Sequence, residues 1–381
     1  MKFVHLSDLH IGKKVNGFSM IDDQKYILTN ILKIISDEKP DGVIIAGDVY
    51  DKSVPATDAV TLFDDFLVKL TSMGNQTFIV SGNHDSAERV AFASRIMAQE
   101  GVHISPVYNG KVDPYTITDE YGEVNIYLLP FLKPFHLRSF FEDEDIKSYT
   151  DAVRVAIENM NIDTSKRNIL VTHQYVSGAS TSDSEEHSVG GTDNVDASVF
   201  DCFDYVALGH LHKPQSVVRD TIRYCGTPLK YSFSEENDVK SVTIFEIKEK
   251  DNVTIRTVPL IPRHDMLTLT GSYNELMSKN YYENIDTESY IRVKLTDEEE
   301  QINVFDKLRT VYKNIMCLEY DNKRTKKKNS VTGAENVKSK SAFELFADFY
   351  ELQNNQPMSE EQSSFVRNLI EIISEENNET D

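Results

Sequence analysis

The chain has 381 residues, Lys+Arg 40 against Asp+Glu 62, and a formal net charge of −22. Its length suggests two or three domains, and 40% hydrophobic residues with 10% aromatics exclude wholesale disorder. Taken alone, the acidic balance argues against a partner as acidic as nucleic acid.

Met1 leads straight into Lys2-Phe3-Val4-His5-Leu6, without the basic head and apolar stretch of a signal peptide. Short apolar runs ending in polar residues then alternate with helical patterns, an α/β signature. Residues 3–6 read as a buried strand, and Ile27, Leu28, Ile31, Leu32 and Ile35 recur at helical spacing until Pro40. Residues 43–46 form the next strand. Val60, Phe63, Leu67 and Leu70 give a second helix face closed by Gly74, and 77–80 returns as a strand. Strands are expected at 125–129, 169–172 and 205–208, with a helix at 151–160. Strands at 242–247 and 253–258 around Asp251-Asn252 predict a hairpin that completes a first domain, 1–265. A small α/β unit follows at 266–320: a strand from Met266, helix 273–279, strand 290–295, helix 302–312 and strand 315–320. Residues 321–342, rich in Lys, Asn, Ser and Thr, predict a polar linker. Phe343, Phe346, Phe349 and Tyr350, then Phe365, Leu369 and Ile373, predict helices across 343–381, separated at Pro357.

Cys202, Cys225 and Cys317 are far apart and form no CxxC pair, which favours a reducing cytoplasm over a disulfide framework. No apolar run approaches the roughly 20 residues needed to span a bilayer, and no GxxxxGK[ST] loop offers ATP hydrolysis by that route.

Polar residues of ligand type close the strands. Asp8-Leu9-His10 follows the first, and residues two apart in an extended segment point the same way, so both can reach one ion. Gly47-Asp48-Val49-Tyr50-Asp51 follows the second, Gly82-Asn83-His84-Asp85 the third, His173 the strand at 169–172, and Gly209-His210-Leu211-His212 that at 205–208. Singly these have plain readings: a surface pair, turn chemistry, a satisfied core pair. Jointly they point to one centre at the carboxyl ends of an α/β sheet. Carboxylates, imidazoles and an amide without thiolates suit divalent ions such as Mn²⁺ or Fe²⁺, with Zn²⁺ open. Two ions about 3.5–4 Å apart need a bridging ligand, for which Asp48 is the candidate. Two such ions carry more charge than Asp8 and Asp48 cancel, so the site can receive a phosphate.

In order and spacing, Asp8-x-His10, Gly47-Asp48-x-x-Asp51, Gly82-Asn83-His84-Asp85, His173 and Gly209-His210-x-His212 resemble the calcineurin-like metallophosphoesterase signature over the first two thirds of the chain. Ser86-x-x-Arg89, Ser182-Asp183-Ser184-Glu185 leading to Gly190-Gly191, the run from Tyr205 to Pro214, and Tyr224-x-Gly226-Thr227-Pro228-Leu229 are similar to the SbcD branch, nuclease subunits of SbcCD complexes. The resemblance implies a metallophosphoesterase β-sandwich flanked by helices, a small α/β capping domain, and C-terminal helices that dock on the SMC-like coiled-coil ATPase SbcC. It implies two ions, usually Mn²⁺, one held by Asp8, His10, Asp48 and His212 and the other by Asp48, Asn83, His173 and His210. His84 would be the catalytic group, donating a proton to the leaving oxygen or stabilising the transition state. The implied reaction is hydrolysis of DNA phosphodiesters, from the 3′ side of double-stranded ends and internally in single strands and hairpins. It would serve repair, recombination and replication in a homodimer within a heterotetramer. A phosphatase or small-substrate phosphodiesterase on the same site is the alternative.

Lesser candidates surround this set. Asp85 would orient His84 or cap the helix opening at Ser86, and Asp51 would be a first-turn group or an outer partner of the site. His5 is a packed histidine or an outer partner beside Asp8, and Arg89 a DNA-phosphate contact or a solvated charge. His103, His136, His187 and His264 show no partner pattern and are expected to be structural. Lys323, Arg324, Lys326, Lys327 and Lys328 form a basic run for DNA or a solvated linker. The acidic excess predicts weak, salt-sensitive DNA binding by the isolated chain without metal.

Overall fold

The computed structural model describes residues 1–185, 194–299, 301–322, 341–354 and 357–378. His187, Gly190-Gly191 and the basic run from Lys323 to Lys328 lie outside them. The chain divides into two compact units, Met1–Leu267 and Thr268–Asp381. Among the described residues no helix is long and apolar enough to cross a membrane.

Two six-stranded sheets build the first unit. One runs, in spatial order, Val253–Pro259, Ser241–Ile247, Lys2–Leu6, Gly42–Ala46, Gln76–Val80 and Val102–Ile104. The other runs Gln215–Val217, Arg219–Tyr224, Tyr205–Gly209, Arg167–His173, Gly122–Leu129 and Tyr115–Asp119. The expected polar strand ends therefore come from two sheets rather than one open sheet. Parallel neighbours need a long crossover. Helix Ile21–Glu38 joins Lys2–Leu6 to Gly42–Ala46, buries Ile27, Leu28, Ile31, Leu32 and Ile35, and ends with Lys39 in the left-handed conformation before Pro40. Helix Thr57–Ser72 makes the next crossover on Phe63, Phe66, Leu67 and Leu70. Val60, expected on that face, is exposed, and Phe66 packs instead.

Side-chain alternation decides what each strand buries. Ile169 and Val171 of one strand join Phe3, Ile44, Phe78, Tyr205 and Phe245 between the sheets, while Leu170 faces the other way with Ala152, Val153 and Ala156 of helix Tyr149–Glu158. Phe245 stacks on Phe3 at 5.1 Å and on Tyr205 at 3.7 Å, and these rings couple the two sheets. Burial of each such side chain contributes about 1.5–3 kcal/mol before entropy is counted. The outcome is a β-sandwich with helices on its flanks.

Strand Met266–Gly271, which runs across the boundary at Thr268, forms a three-stranded sheet with Tyr290–Leu295 and Ile315–Tyr320 of the second unit, over a core that includes Leu276, Val293, Leu308 and Tyr312. The helix expected at 273–279 is two short helices, Tyr273–Leu276 and Lys279–Tyr282, because Ser278 turns extended between them. That expected at 302–312 runs only Val304–Arg309, since Asn303 is left-handed. Helices Ala342–Asn354 and Glu360–Asn378 follow, with the Arg367 guanidinium 3.7 Å from the Phe343 ring centroid.

Candidate metal centre

Parallel pairing sends the carboxyl ends of Lys2–Leu6, Gly42–Ala46 and Gln76–Val80 to one edge of the first sheet, and those of Arg167–His173 and Tyr205–Gly209 to one edge of the second. There the sheets approach so closely that a Cβ on Gly209 would stand 1.7 Å from the Ala46 carbonyl oxygen, and one on Gly82 2.1 Å from Asp48 Oδ1. The chain also turns sharply. Asp8 (φ 51°), His10 (φ 43°), Asp48 (φ 46°) and His210 (φ 105°) all have positive φ, at a cost of about 1–3 kcal/mol each that the surrounding packing must offset.

All seven sequence candidates for metal ligands meet here. Asp8, His10 and His173 have no exposed surface. His10 Nε2 lies 3.1 Å from His212 Nε2 and 3.6 Å from Asp48 Oδ2. Asp48 Oδ2 is also 3.3 Å from His173 Nε2. Asn83 Oδ1 lies 3.0 Å from His173 Nε2 and 2.9 Å from His210 Nδ1. The His210 amide donates to Asp8 Oδ1 at 2.9 Å, and the His84 amide to Asp48 Oδ1 at 2.9 Å. His84 stands edge-on to His10 at 4.9 Å, with Nδ1 3.2 Å from the Asp51 carbonyl oxygen. Asp48 is thus common to a cluster with His10 and His84 and a cluster with Asp8 and His173, while Asp8, His10 and His212 form a third.

These residues fit divalent cations. Asp8 Oδ2 is buried without a hydrogen-bond partner among the described residues, a costly state for a carboxylate oxygen unless a cation meets it. Burial, with Asp48 adding to it, pushes Asp8 up to about 7. Burial also holds His10 and His212 well below the ordinary histidine value, so their rings are neutral and offer lone pairs. At His173 burial opposes protonation, but Asp48 and Asp8 outweigh it and raise the ring to about 9. Burial likewise opposes charge on Asp48, yet His173 and His10 hold it well below the usual carboxylate range.

The outer ring nitrogens are oriented as a metal site requires. His173 Nδ1 donates to the Ala46 carbonyl at 2.9 Å. His212 Nδ1 is 2.5 Å from Ser184 Oγ, which donates in turn to Glu235. Glu235 Oε2 pairs with Lys240 Nζ at 2.6 Å, and that ammonium also donates to the His212 carbonyl at 2.8 Å. Glu185 accepts the His212 amide at 2.6 Å, and Gln24 donates to the His10 carbonyl at 2.7 Å. Sequence reasoning singled out the Ser182–Glu185 stretch but missed Glu235, Lys240 and Gln24, which sit in no motif.

The lesser candidates resolve differently. Asp85 neither orients His84 nor caps the helix at Ser86. Its carboxylate accepts the amides of Val49, Tyr50 and Gly82 at 3.0–3.1 Å and so ties the Asp48 and Asn83 loops together. Asp51 pairs with Lys13 at 2.8 Å, and its carboxylate is 3.9 Å from His10 Nδ1. His5 packs edge-on against Tyr205, Nδ1 to hydroxyl 3.1 Å. Arg89 binds the Ser53 carbonyl. His264 pairs with Asp23 at 2.8 Å, His103 faces Gln76 at 2.8 Å, and His136 accepts the Lys133 amide at 3.2 Å.

Residues 1–214 match the calcineurin-like phosphoesterase family, and residues 262–354 the family described as the type 5 capsule protein repressor C-terminal domain. The SbcD subunit of the nuclease SbcCD from Staphylococcus epidermidis is 32% identical over 377 residues, covering 98% of this chain and 99% of its own. Among solved structures, a dimetal phosphatase from Danio rerio is similar with a TM-score of 0.40 and 10% identity, over 68% of this chain and 96% of its own. A protein of Thermus thermophilus has a TM-score of 0.36 and 12% identity, over 67% and 98%.

Proposed function

The chain belongs to the calcineurin-like phosphoesterase family and, within it, to the SbcD nuclease-subunit family, and from that premise we propose that it is the Mn²⁺-dependent DNA nuclease subunit of an SbcC-type ATPase complex. It would act in the cytoplasm as a homodimer within a heterotetramer, as a 3′–5′ exonuclease on double-stranded ends and an endonuclease on single strands and hairpins. The observation that carries this reading is Asp8 Oδ2, which has no hydrogen-bond partner among the described residues and is enclosed with Asp48 and neutral imidazole nitrogens 3.1 Å apart. Asp8, His10, Asp48 and His212 would hold one ion, and Asp48, Asn83, His173 and His210 the other. When bound, such a pair polarises the phosphate and supplies the nucleophile at neutral pH.

The protein's own residues set the stage for that chemistry. The Ala46 carbonyl accepts a hydrogen bond from Nδ1–H of His173 and the Ser184 hydroxyl one from Nδ1–H of His212, which turns each Nε2 inward; a cation there would replace the proton that metal-free His173 keeps on Nε2 at neutral pH. The Asp51 carbonyl accepts a hydrogen bond from Nδ1–H of His84 and leaves Nε2 for the substrate. When protonated there, His84 can give its proton to the leaving oxygen, an effect worth about 10²- to 10⁴-fold. Purified protein with Mn²⁺ should cleave linear and hairpin DNA, and Asp48→Ala or His84→Ala should lose at least about 10²-fold. Undiminished cleavage by those variants would sink the assignment. Hydrolysis of p-nitrophenyl phosphate with DNA left intact would establish the phosphatase reading instead.

A further inference from the structure

Beside the metal centre the surface opens into a cleft of 620 Å³, within the size range of small-molecule sites. Gly82 and Asn83 line it, so it is continuous with the candidate ligands. The Phe131 amide donates to the Ser81 carbonyl at 3.0 Å and anchors the opposite wall to the Asn83 loop. The Phe131 ring lies parallel to the His210 imidazole, 11° apart at 6.4 Å, and edge-on to His173 at 6.2 Å. Phe135 and Phe140, also on the lining, are 60% and 47% exposed. Lys133 holds its ammonium 5.9 Å from the Phe131 ring centroid. The acidic groups are engaged: Glu88 accepts the Ser86 hydroxyl at 2.8 Å, and Asp85 is turned onto three backbone amides.

A concave wall of aromatics with one ammonium, opening onto a phosphoester centre, matches the chemistry of a nucleotide better than that of a bare phosphate. Phenyl faces stack on nucleobases of any sequence, and the ammonium suits a backbone phosphate. Resting on the function proposed for the metal centre, we propose that this cleft is a nucleobase subsite: the base of the nucleotide adjoining the scissile phosphate stacks on Phe131 and Phe135, and Lys133 meets the next phosphate. A base in an intact duplex cannot present its faces to such a wall, so the cleft selects unpaired nucleotides at frayed ends, loops and single strands.

The test compares two kinds of Mn²⁺-supported substrate with the same leaving group. Methyl p-nitrophenyl phosphate lacks a base, while the 5′ and 3′ p-nitrophenyl phosphodiesters of thymidine carry one on either side. The wild-type chain should show the lower KM for one thymidine diester. Phe135→Ala, an exposed position, should raise that KM by roughly 5- to 150-fold and leave the methyl ester unchanged. Phe135→Leu, which keeps an apolar side chain and removes the aromatic face, repeats the measurement should the first variant fail to fold. Equal KM for methyl and thymidine esters, or a thymidine KM unmoved by the substitution, overturns the subsite while leaving the phosphodiesterase intact. Failure of the wild type on every diester overturns the enzymatic reading and the subsite with it.

Discussion

Glu235→Ala tests how much of the metal centre depends on groups that touch no substrate. Glu235 is fully buried and its ion-pair partner Lys240 is 4% exposed, with nitrogen and oxygen 2.6 Å apart. Truncation leaves the ammonium enclosed with the His212 carbonyl as its remaining acceptor, and an uncompensated buried charge of this kind costs about 3–5 kcal/mol. That is a large share of the roughly 5–15 kcal/mol that a domain has in total. The same substitution removes the acceptor of Ser184 and frees the His212 ring, which should weaken Mn²⁺ binding about 10- to 100-fold. Three variants separate the effects. Ser184→Ala keeps the ion pair and should retain stability while losing metal affinity. Glu235→Ala should lose both, and Glu235→Ala with Lys240→Met should regain most of the stability and none of the affinity. Urea unfolding in EDTA, followed by circular dichroism because the chain has Trp 0, reads stability, and titration calorimetry reads Mn²⁺. A loss under about 1 kcal/mol for Glu235→Ala, in the range of an exposed pair, or a double variant no better than the single, would refute the reasoning.

Further outcomes follow from the same geometry. Gly209→Ala places a Cβ 1.7 Å from the Ala46 carbonyl oxygen and should cost more than about 4 kcal/mol, visible as loss of soluble protein; a near-normal melting temperature would contradict the close approach of the sheets. His173 binds its proton more tightly in the folded metal-free chain, about 9 against 6.5, so its contribution is full below pH 6.5 and disappears as pH rises through 9. The melting temperature in EDTA should therefore fall across that window and fall less with saturating Mn²⁺, and identical profiles would dismiss His173 as the group responsible. Removal of residues 323–381 should abolish capture of an SbcC-type coiled-coil ATPase, since Phe349 and Phe365 are 56% and 66% exposed, without changing hydrolysis of methyl p-nitrophenyl phosphate; capture by the truncated chain would place the docking elsewhere.

The candidate-ligand stretches were legible because each is local. At Asp48, Asn83 and His210 a glycine and then a carboxylate, amide or imidazole close an apolar run, Asp8 and His173 close theirs without a glycine, and the run itself predicts its strand. The periodicity of Ile27, Leu28, Ile31, Leu32 and Ile35 gave the first helix face for the same reason. Where a choice depended on neighbours far along the chain, local pattern failed. Val60 fits the helical spacing as well as Phe66 does, and only the packed sheet makes Phe66 the buried one. Ser278 carries no sequence signal strong enough to split a helix, yet its backbone turns extended and divides Tyr273–Leu276 from Lys279–Tyr282.

Residue types and their order were thus enough for most of the α/β elements, for the choice of candidate ligands and for the family, since these depend on short-range spacing and on what each side chain can bind. The division of strands between two sheets, the contact of Gly209 with Ala46, the engagement of Asp85 with three amides, and the buried line from Lys240 through Glu235 and Ser184 to His212 came from tertiary structure alone. Each includes a contact between segments tens to hundreds of residues apart, where the energy of the contact resides in a distance that no local pattern records.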